Sequence, residues 1–139
     1  MVDPTPLAAA VEAALNTVTG ISTHDGLVPR DVPATAEGYV LPYAVLWAGD
    51  GDESNETTAD GEQPTDTLTW DFQVTVVASN VAACRSVAHS VKLALINLRV
   101  GTGIVRKNPD GFDSPTPIPV PEVSPARYMK PLYFRLITN

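Results

Sequence analysis

Residues 67–78, "TLTWDFQVTVVA", alternate almost without error. Leu68, Trp70, Phe72, Val74 and Val76 fall on one side of the chain, and Thr69, Asp71, Gln73 and Thr75 on the other. A side-chain period of two, rich in β-branched and aromatic residues, is the pattern of a strand with one buried face. The rest of the chain has to cover that face. "YVLPYAVLWA", residues 39–48, predicts a strand apolar on both sides, so it is central in a sheet or covered by a neighbour, with Pro42 near its start or at an edge. Two strands separated by a long polar stretch most simply make an antiparallel hairpin, with residues 49–66 as its tip.

Two helices are expected beside these strands. Over residues 6–19, Leu7, Val11, Ala14, Leu15 and Val18 share a face, Thr5 or Asp3 can cap, Pro6 suits the first turn and Gly20 can terminate. A second helix, capped by Ser79 or Asn80, is predicted to run to about Arg99. It carries Cys84, Val87, Ala88, Val91, Ala94, Leu95 and Leu98 on a core face, and Arg85, His89, Lys92 and Arg99 on another. Residues 21–38 mix Gly, Pro, Asp and His and are expected to be irregular or to hold a short strand near 26–30, and another short strand is expected near 103–107. "RYMKPLYFRLIT", residues 127–138, closes the chain as a last strand, with Leu132, Phe134 and Leu136 alternating with Tyr133, Arg135 and Ile137. Residues 108–126 hold prolines at 109, 115, 117, 119, 121 and 125, which forbid helix and favour a stiff, extended proline-rich arm. This order predicts an α+β fold, a single domain over residues 1–139 with an antiparallel sheet flanked by two helices.

At 139 residues and 44% apolar content the chain is long enough for one core without disulfides or metal. It opens without a basic and apolar leader, and no window approaches eighteen uninterrupted apolar residues, so a soluble chain with no signal peptide and no membrane partner is expected. The Asn55-Glu56-Thr57 sequon is then a coincidence.

Charge is divided along the chain. Residues 1–66 hold twelve acids against Arg30 alone, and residues 67–139 hold eight bases against four acids, within a net charge of -7. Such a chain can be complementary to copies of itself, and two solvated faces are the plain alternative. An acidic protein without a concentrated basic footprint is not built to clamp nucleic acid.

Nothing in the sequence assembles a reacting centre, so neither a catalytic nor a metal site, nor a cofactor, is expected. Cys84 lies mid-face on a helix, where a thiol acts as a small hydrophobe. His89, five residues on, faces elsewhere, and His24 falls in a loop with no visible partner. Trp47 and Trp70 read as core or interface aromatics. "DGDES" begins like a calcium loop, but counting from Asp50 the glycine position is Asn55 and the bidentate position is Gly61. Gly101 and Gly103 precede a strand rather than a helix, unlike a phosphate loop.

"PYAVLWA", the long polar hairpin, "DTLTWDFQVTVVASNVAACRSVAHSVKLALINL" and the closing "KPLYFRLIT" together resemble the tail terminator proteins of long-tailed bacteriophages. The likeness lies in element order and texture over most of the chain. It implies a structural virion protein of the tail or neck, assembled in the host cytoplasm. Such a protein forms a homo-oligomeric ring of six that caps the head-proximal end of the tail tube, ends tube polymerisation and docks the head. Its partners would be the tail tube protein, a head–tail connector protein and genome DNA, which passes through without specific binding. A ring needs heterologous contacts between unlike faces. Asp50, Asp52, Glu53, Glu56, Asp60, Glu62 and Asp66 would line or rim the lumen and repel phosphate, dock to a basic patch, or simply solvate a loop. Arg85, Lys92 and Arg99, with Pro115, Pro117, Pro119 and Pro121 as an arm over a neighbour, are the subunit-interface candidates. The alternatives are another neck protein, or an oligomeric, non-catalytic module that binds a small acidic or carbohydrate ligand.

Overall fold

The computed structural model describes residues 3–29, 31–53 and 67–138. Helix α1, Thr5–Leu15, starts with Pro6 in its first turn, and the Thr5 N–H donates to Asp3 Oδ1 at 2.9 Å. It ends four residues before the expected point: the Thr17 and Val18 amides close tight turns onto Ala14 and Leu15, and Gly20 follows at φ +84°. Its buried residues are Leu7, Val11 and Leu15.

Strand β1, Ser22–Asp25, lies just before the stretch where a short strand was expected. β2, Tyr43–Ala48, begins directly after Pro42, and β3, Asp52–Glu53, follows it closely. β4 is Leu68–Ala78 and α2 is Val81–Leu95. The remaining strands are β5, Arg99–Val100; β6, Gly103–Ile104; β7, Arg106–Lys107; β8, Ile118–Pro119; and β9, Tyr128–Thr138.

Among the described residues the main sheet runs β1-β2-β4-β9-β7, with β3 on β4 and β8 on β9. β2 pairs antiparallel with β4 from Tyr43↔Val77 to Ala48↔Phe72, which is the expected hairpin, and β4 pairs with β9 along eleven residues. The sheet is mixed rather than purely antiparallel, because β1 lies parallel to β2. A parallel pair needs a crossover. The loop between Asp25 and Tyr43 supplies it by passing over the sheet.

Both helices pack on one face of the sheet, which makes this the expected α+β fold. Leu68, Trp70, Phe72, Val74 and Val76 of β4, Ala44 and Leu46 of β2, and Leu132, Phe134 and Leu136 of β9 pack there. They meet Leu7, Val11 and Leu15 of α1 and Cys84, Ala88, Val91 and Leu95 of α2. Each such Leu, Val or Phe contributes about 1.5–3 kcal/mol by leaving water. The opposite, open face has a smaller cluster of Val40, Tyr43, Val45 and Val77, roofed by the crossover loop through Val32 and Val40. β2 is apolar on both sides because each side meets one of these clusters.

Helix α2 is capped by Asn80, whose Oδ1 accepts from the Ala83 N–H at 2.8 Å; such a cap is worth about 1 kcal/mol. The helix stops at Leu95, not Arg99. Ile96 is extended, and Asn97 takes a left-handed φ of 71°, which asparagine tolerates better than most residues. The chain then turns back, so that Asn97 donates to Val105 and Val105 donates to Leu98. Leu98 still reaches the core, but from a turn. The expected strand over 103–107 is broken at Val105, with β6 pairing β5 and β7 pairing β9.

Candidate functional site

The acidic tip is narrower than the sequence implied. Three residues, 49–51, oppose two, Asp71 and Trp70, between the pairs Ala48↔Phe72 and Asp52↔Thr69, so the strand bulges once and then rejoins β4. Gly51 sits in the bulge at φ +82°, where a Cβ would stand 2.9 Å from Leu68 Cδ1. Trp70, fully buried and stacked on Phe72 at 4.7 Å, donates its indole N–H to the Gly49 carbonyl at 2.8 Å. The base of the tip is therefore tied to the core, with Asp50 exposed and the backbones of Asp52 and Glu53 in the ladder. Glu56, Asp60, Glu62 and Asp66 lie outside the described residues.

The cationic candidates separate. Arg85 and Lys92 are exposed on one face of α2, together with His89. Arg99 is exposed on β5, after the helix has ended, so it does not share that face. Lys92 instead joins Lys107 at the rim of a groove of about 230 Å³. Its apolar lining comes from Ile96, Leu132, Phe134 and Phe112. Asp113 sits at the same rim, 2.7 Å from Lys107 Nζ. The hydrogen bond and charge of Lys107, reinforced by Lys92 and Lys130, hold the Asp113 carboxyl below the usual carboxylate range. Neither Lys92 nor Lys130 has an ion-pair partner among the described residues.

The proline segment folds back on its own subunit. Ile118 and Pro119 pair with Met129 and Tyr128, and Val120 donates to Arg127. Pro117 is buried; Pro115, Pro119 and Pro121 stay exposed. The 108–126 segment thus closes the outer edge of β9 in place of a free arm, and Pro117 is not open to a neighbour. Gly111 is packed so closely there that a Cβ would meet Tyr133 Cβ at 2.4 Å.

Several groups escaped the sequence reading. Asp71 and Arg135 face each other across β4 and β9, and the Arg135 guanidinium forks onto both carboxylate oxygens at 2.7 and 3.0 Å, with Asp110 at 3.2 Å. Those hydrogen bonds pull the Asp71 carboxyl below its ordinary range and push Arg135 up. Their partnership is visible only once the register is known. On the open face a groove of about 310 Å³ is lined by Val28, Tyr43, Val45, Trp47, Val77 and Met129 among others, and Trp47 is 38% exposed there. The crossover loop carries a tight turn: the bridge Ala34↔Val40 and the bond from Gly38 N–H to Thr35 O hold Glu37 and Tyr39 outward. Tyr39 is 64% exposed.

Cys84 is buried with its thiol 3.8 Å from the Val76 carbonyl, and burial pushes its pKa up to about 11, so it is not a thiolate near neutrality. His24 is on β1 rather than in a loop, with Nε2 3.3 Å from Ser22 Oγ and its ring edge-on to Tyr43. Among the described residues no group of three or more His, Cys, Asp or Glu side chains could hold a metal, and no helix is long and apolar enough to cross a membrane. No family model matches the chain, and none of the curated proteins matches it.

Proposed function

We propose that this chain is a structural subunit of a phage neck: the tail terminator of a long-tailed bacteriophage, six copies of which close a ring on the head-proximal end of the tail tube. The ring ends tube polymerisation and offers the surface to which the head docks. Its partners are the tail tube protein and a head–tail connector protein, and genome DNA passes through its lumen without specific binding. It is assembled in the host cytoplasm and resides in the virion. The role requires self-complementary surfaces and no catalytic, metal or cofactor chemistry.

The observation that carries this reading is the placement of unlike surfaces on opposite sides of one sheet. Glu37 and Tyr39 are presented by the crossover loop on the open side, and a lysine-rimmed apolar groove opens on the helix side. Contacts of that kind are heterologous, and a rotation that closes limits their number. The element order α1, hairpin with acidic tip, α2 and closing strand agrees with the resemblance. In such a ring the tip carboxylates repel phosphate within about 8 Å of the wall at physiological salt.

The test is assembly in the absence of the protein, inspected by electron microscopy. Overlong or headless tails are expected, and tails of normal length joined to heads refute the reading. Complementation with a tip whose seven carboxylates are amidated is expected to restore tail length and slow DNA ejection; unchanged ejection removes the lumen role alone.

A further inference from the structure

We infer that the turn carrying Glu37 and Tyr39 docks into the lysine-rimmed groove of a second copy of this chain. The inference rests on the reading above only in taking the chain to self-associate, and it names the two surfaces that meet.

The groove is small. At about 230 Å³ it lies below the range of roughly 300–1,000 Å³ that holds drug-sized ligands, so it suits one side chain rather than a free small molecule. Its floor of Ile96, Leu132 and Phe134 is apolar, Phe112 stands beside it with 65% of its surface exposed, and Lys92 and Lys107 sit at its mouth. Lys107 is already shared with Asp113, whereas Lys92 has no ion-pair partner among the described residues. The matching occupant is a large, amphipathic ring with a carboxylate close by.

The turn at residues 35–39 offers both. Tyr39 accepts restraint from two directions, since its carbonyl receives the Thr35 N–H at 2.8 Å and its own N–H donates to Thr35 Oγ1 at 3.1 Å. Gly38 supplies the positive φ that the turn needs, +89°. The loop is anchored by Val40, 2% exposed. The backbone that presents Tyr39 and Leu41, 64% and 43% exposed, as a knob is therefore set in advance, so little backbone entropy is lost on docking. Tyrosines that enter pockets at the centre of an interface are typical hot spots. Glu37 meets the cations at the rim and sets the orientation.

A subunit cannot fill its own groove. The knob is held on the open face through Val40 against Tyr43, Val45 and Val77, while Leu132 and Phe134 belong to the helix-side core, so the sheet separates the two. The contact is consequently between copies and between unlike surfaces.

Two doubly substituted proteins test this. One carries Glu37→Lys and Tyr39→Asp, and the other Lys92→Glu and Phe112→Asp; all four positions are exposed, and thermal melts check that both variants fold. Sedimentation of the parent, each variant, and their equimolar mixture is measured up to about millimolar concentration, where contacts worth only about 4 kcal/mol register. The parent is expected to exceed the 14.7 kDa of one chain, and each variant alone to self-associate at least ~30-fold more weakly, as loss of a hot spot implies. The mixture is expected to form a one-to-one dimer through the single intact knob and groove, and nothing larger. A parent that stays monomeric, variants that assemble like the parent, or a mixture that stays monomeric each overturn the contact. A parent ring that survives both variants removes this contact and leaves the neck role standing. Normal tails without the protein remove the neck role whatever the contact does.

Discussion

Trp70 is the residue on which the geometry of the acidic tip depends, so truncating it gives a quantitative test. It is fully buried, and stacks on Phe72, which stacks in turn on Phe134 at 5.3 Å, so the adjacent strands β4 and β9 share one aromatic column. Trp70→Ala empties the largest side-chain volume in the core and is expected to cost about 3–5 kcal/mol, a large fraction of the ~5–15 kcal/mol that holds a domain of this size. Trp70→Phe keeps a ring on Phe72 but loses the bond to the Gly49 carbonyl, worth about 1 kcal/mol, and about another 1 kcal/mol of buried area. Urea unfolding followed by far-ultraviolet circular dichroism measures both, since fluorescence would change with the indole itself. Amide exchange then separates the two contributions. In Trp70→Phe the β3 amides are expected to lose protection while those in the middle of β9 keep theirs. A Trp70→Phe protein within about 0.5 kcal/mol of the parent and with unchanged β3 exchange would refute the claim that the indole N–H ties down the base of the tip.

Gly103→Ala places a Cβ 2.2 Å from the Ile137 carbonyl oxygen and 2.8 Å from Leu136 Cδ1, so β6 has to lift off β9; a loss of about 1–3 kcal/mol by the same urea assay is expected, and a neutral effect would contradict the close approach. Asp71 is held below its ordinary range by Arg135, so the pair contributes above the unfolded carboxylate value near 4 and fades as pH falls through the lower folded value. Asp71→Asn is therefore expected to lower the urea midpoint at pH 7, to do so less in high salt, and to lower it progressively less as pH falls below about 4; a midpoint loss that stays the same size as pH falls would show that packing, not charge, is responsible.

What could be read in the sequence was whatever repeats with the period of its own element. The inward set of β4 and the buried stripe of α2 are periodic, and both stand where the pattern puts them. The end of α2 was hidden because Leu98 continues the helical stripe while actually reaching the core from a turn after Asn97. The same ambiguity moved Arg99 off the helix and removed it from the company of Arg85 and Lys92. The proline segment misled differently. Proline spacing reports that a stretch is extended but not what it lies against, and here Ile118 and Pro119 add to the edge of β9. Pairings such as Asp71 with Arg135, 64 residues apart, depend on register, which the hydrophobic pattern constrains only through the sheet it builds.

The structure turns the charge division from a count into an argument about partners. Three of the four acids after residue 66, Asp71, Asp110 and Asp113, are engaged with Arg135 or Lys107 from the same half of the chain. None of these ion pairs joins the two halves. Arg85, Lys92 and Lys130 make no direct ion pair among the described residues, although Lys92 and Lys130 act on Asp113 from a distance. The first half, meanwhile, keeps Asp25, Asp31, Glu37 and Asp50 on exposed backbone with no basic partner among the described residues. Solvated surface charges gain little from internal pairing, and a chain under no other demand has no reason to sort them by half. Sorted charge does strengthen long-range attraction between unlike surfaces of identical molecules, and it penalises like surfaces that approach each other. The proposed head-to-tail contact would use both effects, with the acidic turn of one copy facing the lysine rim of the next.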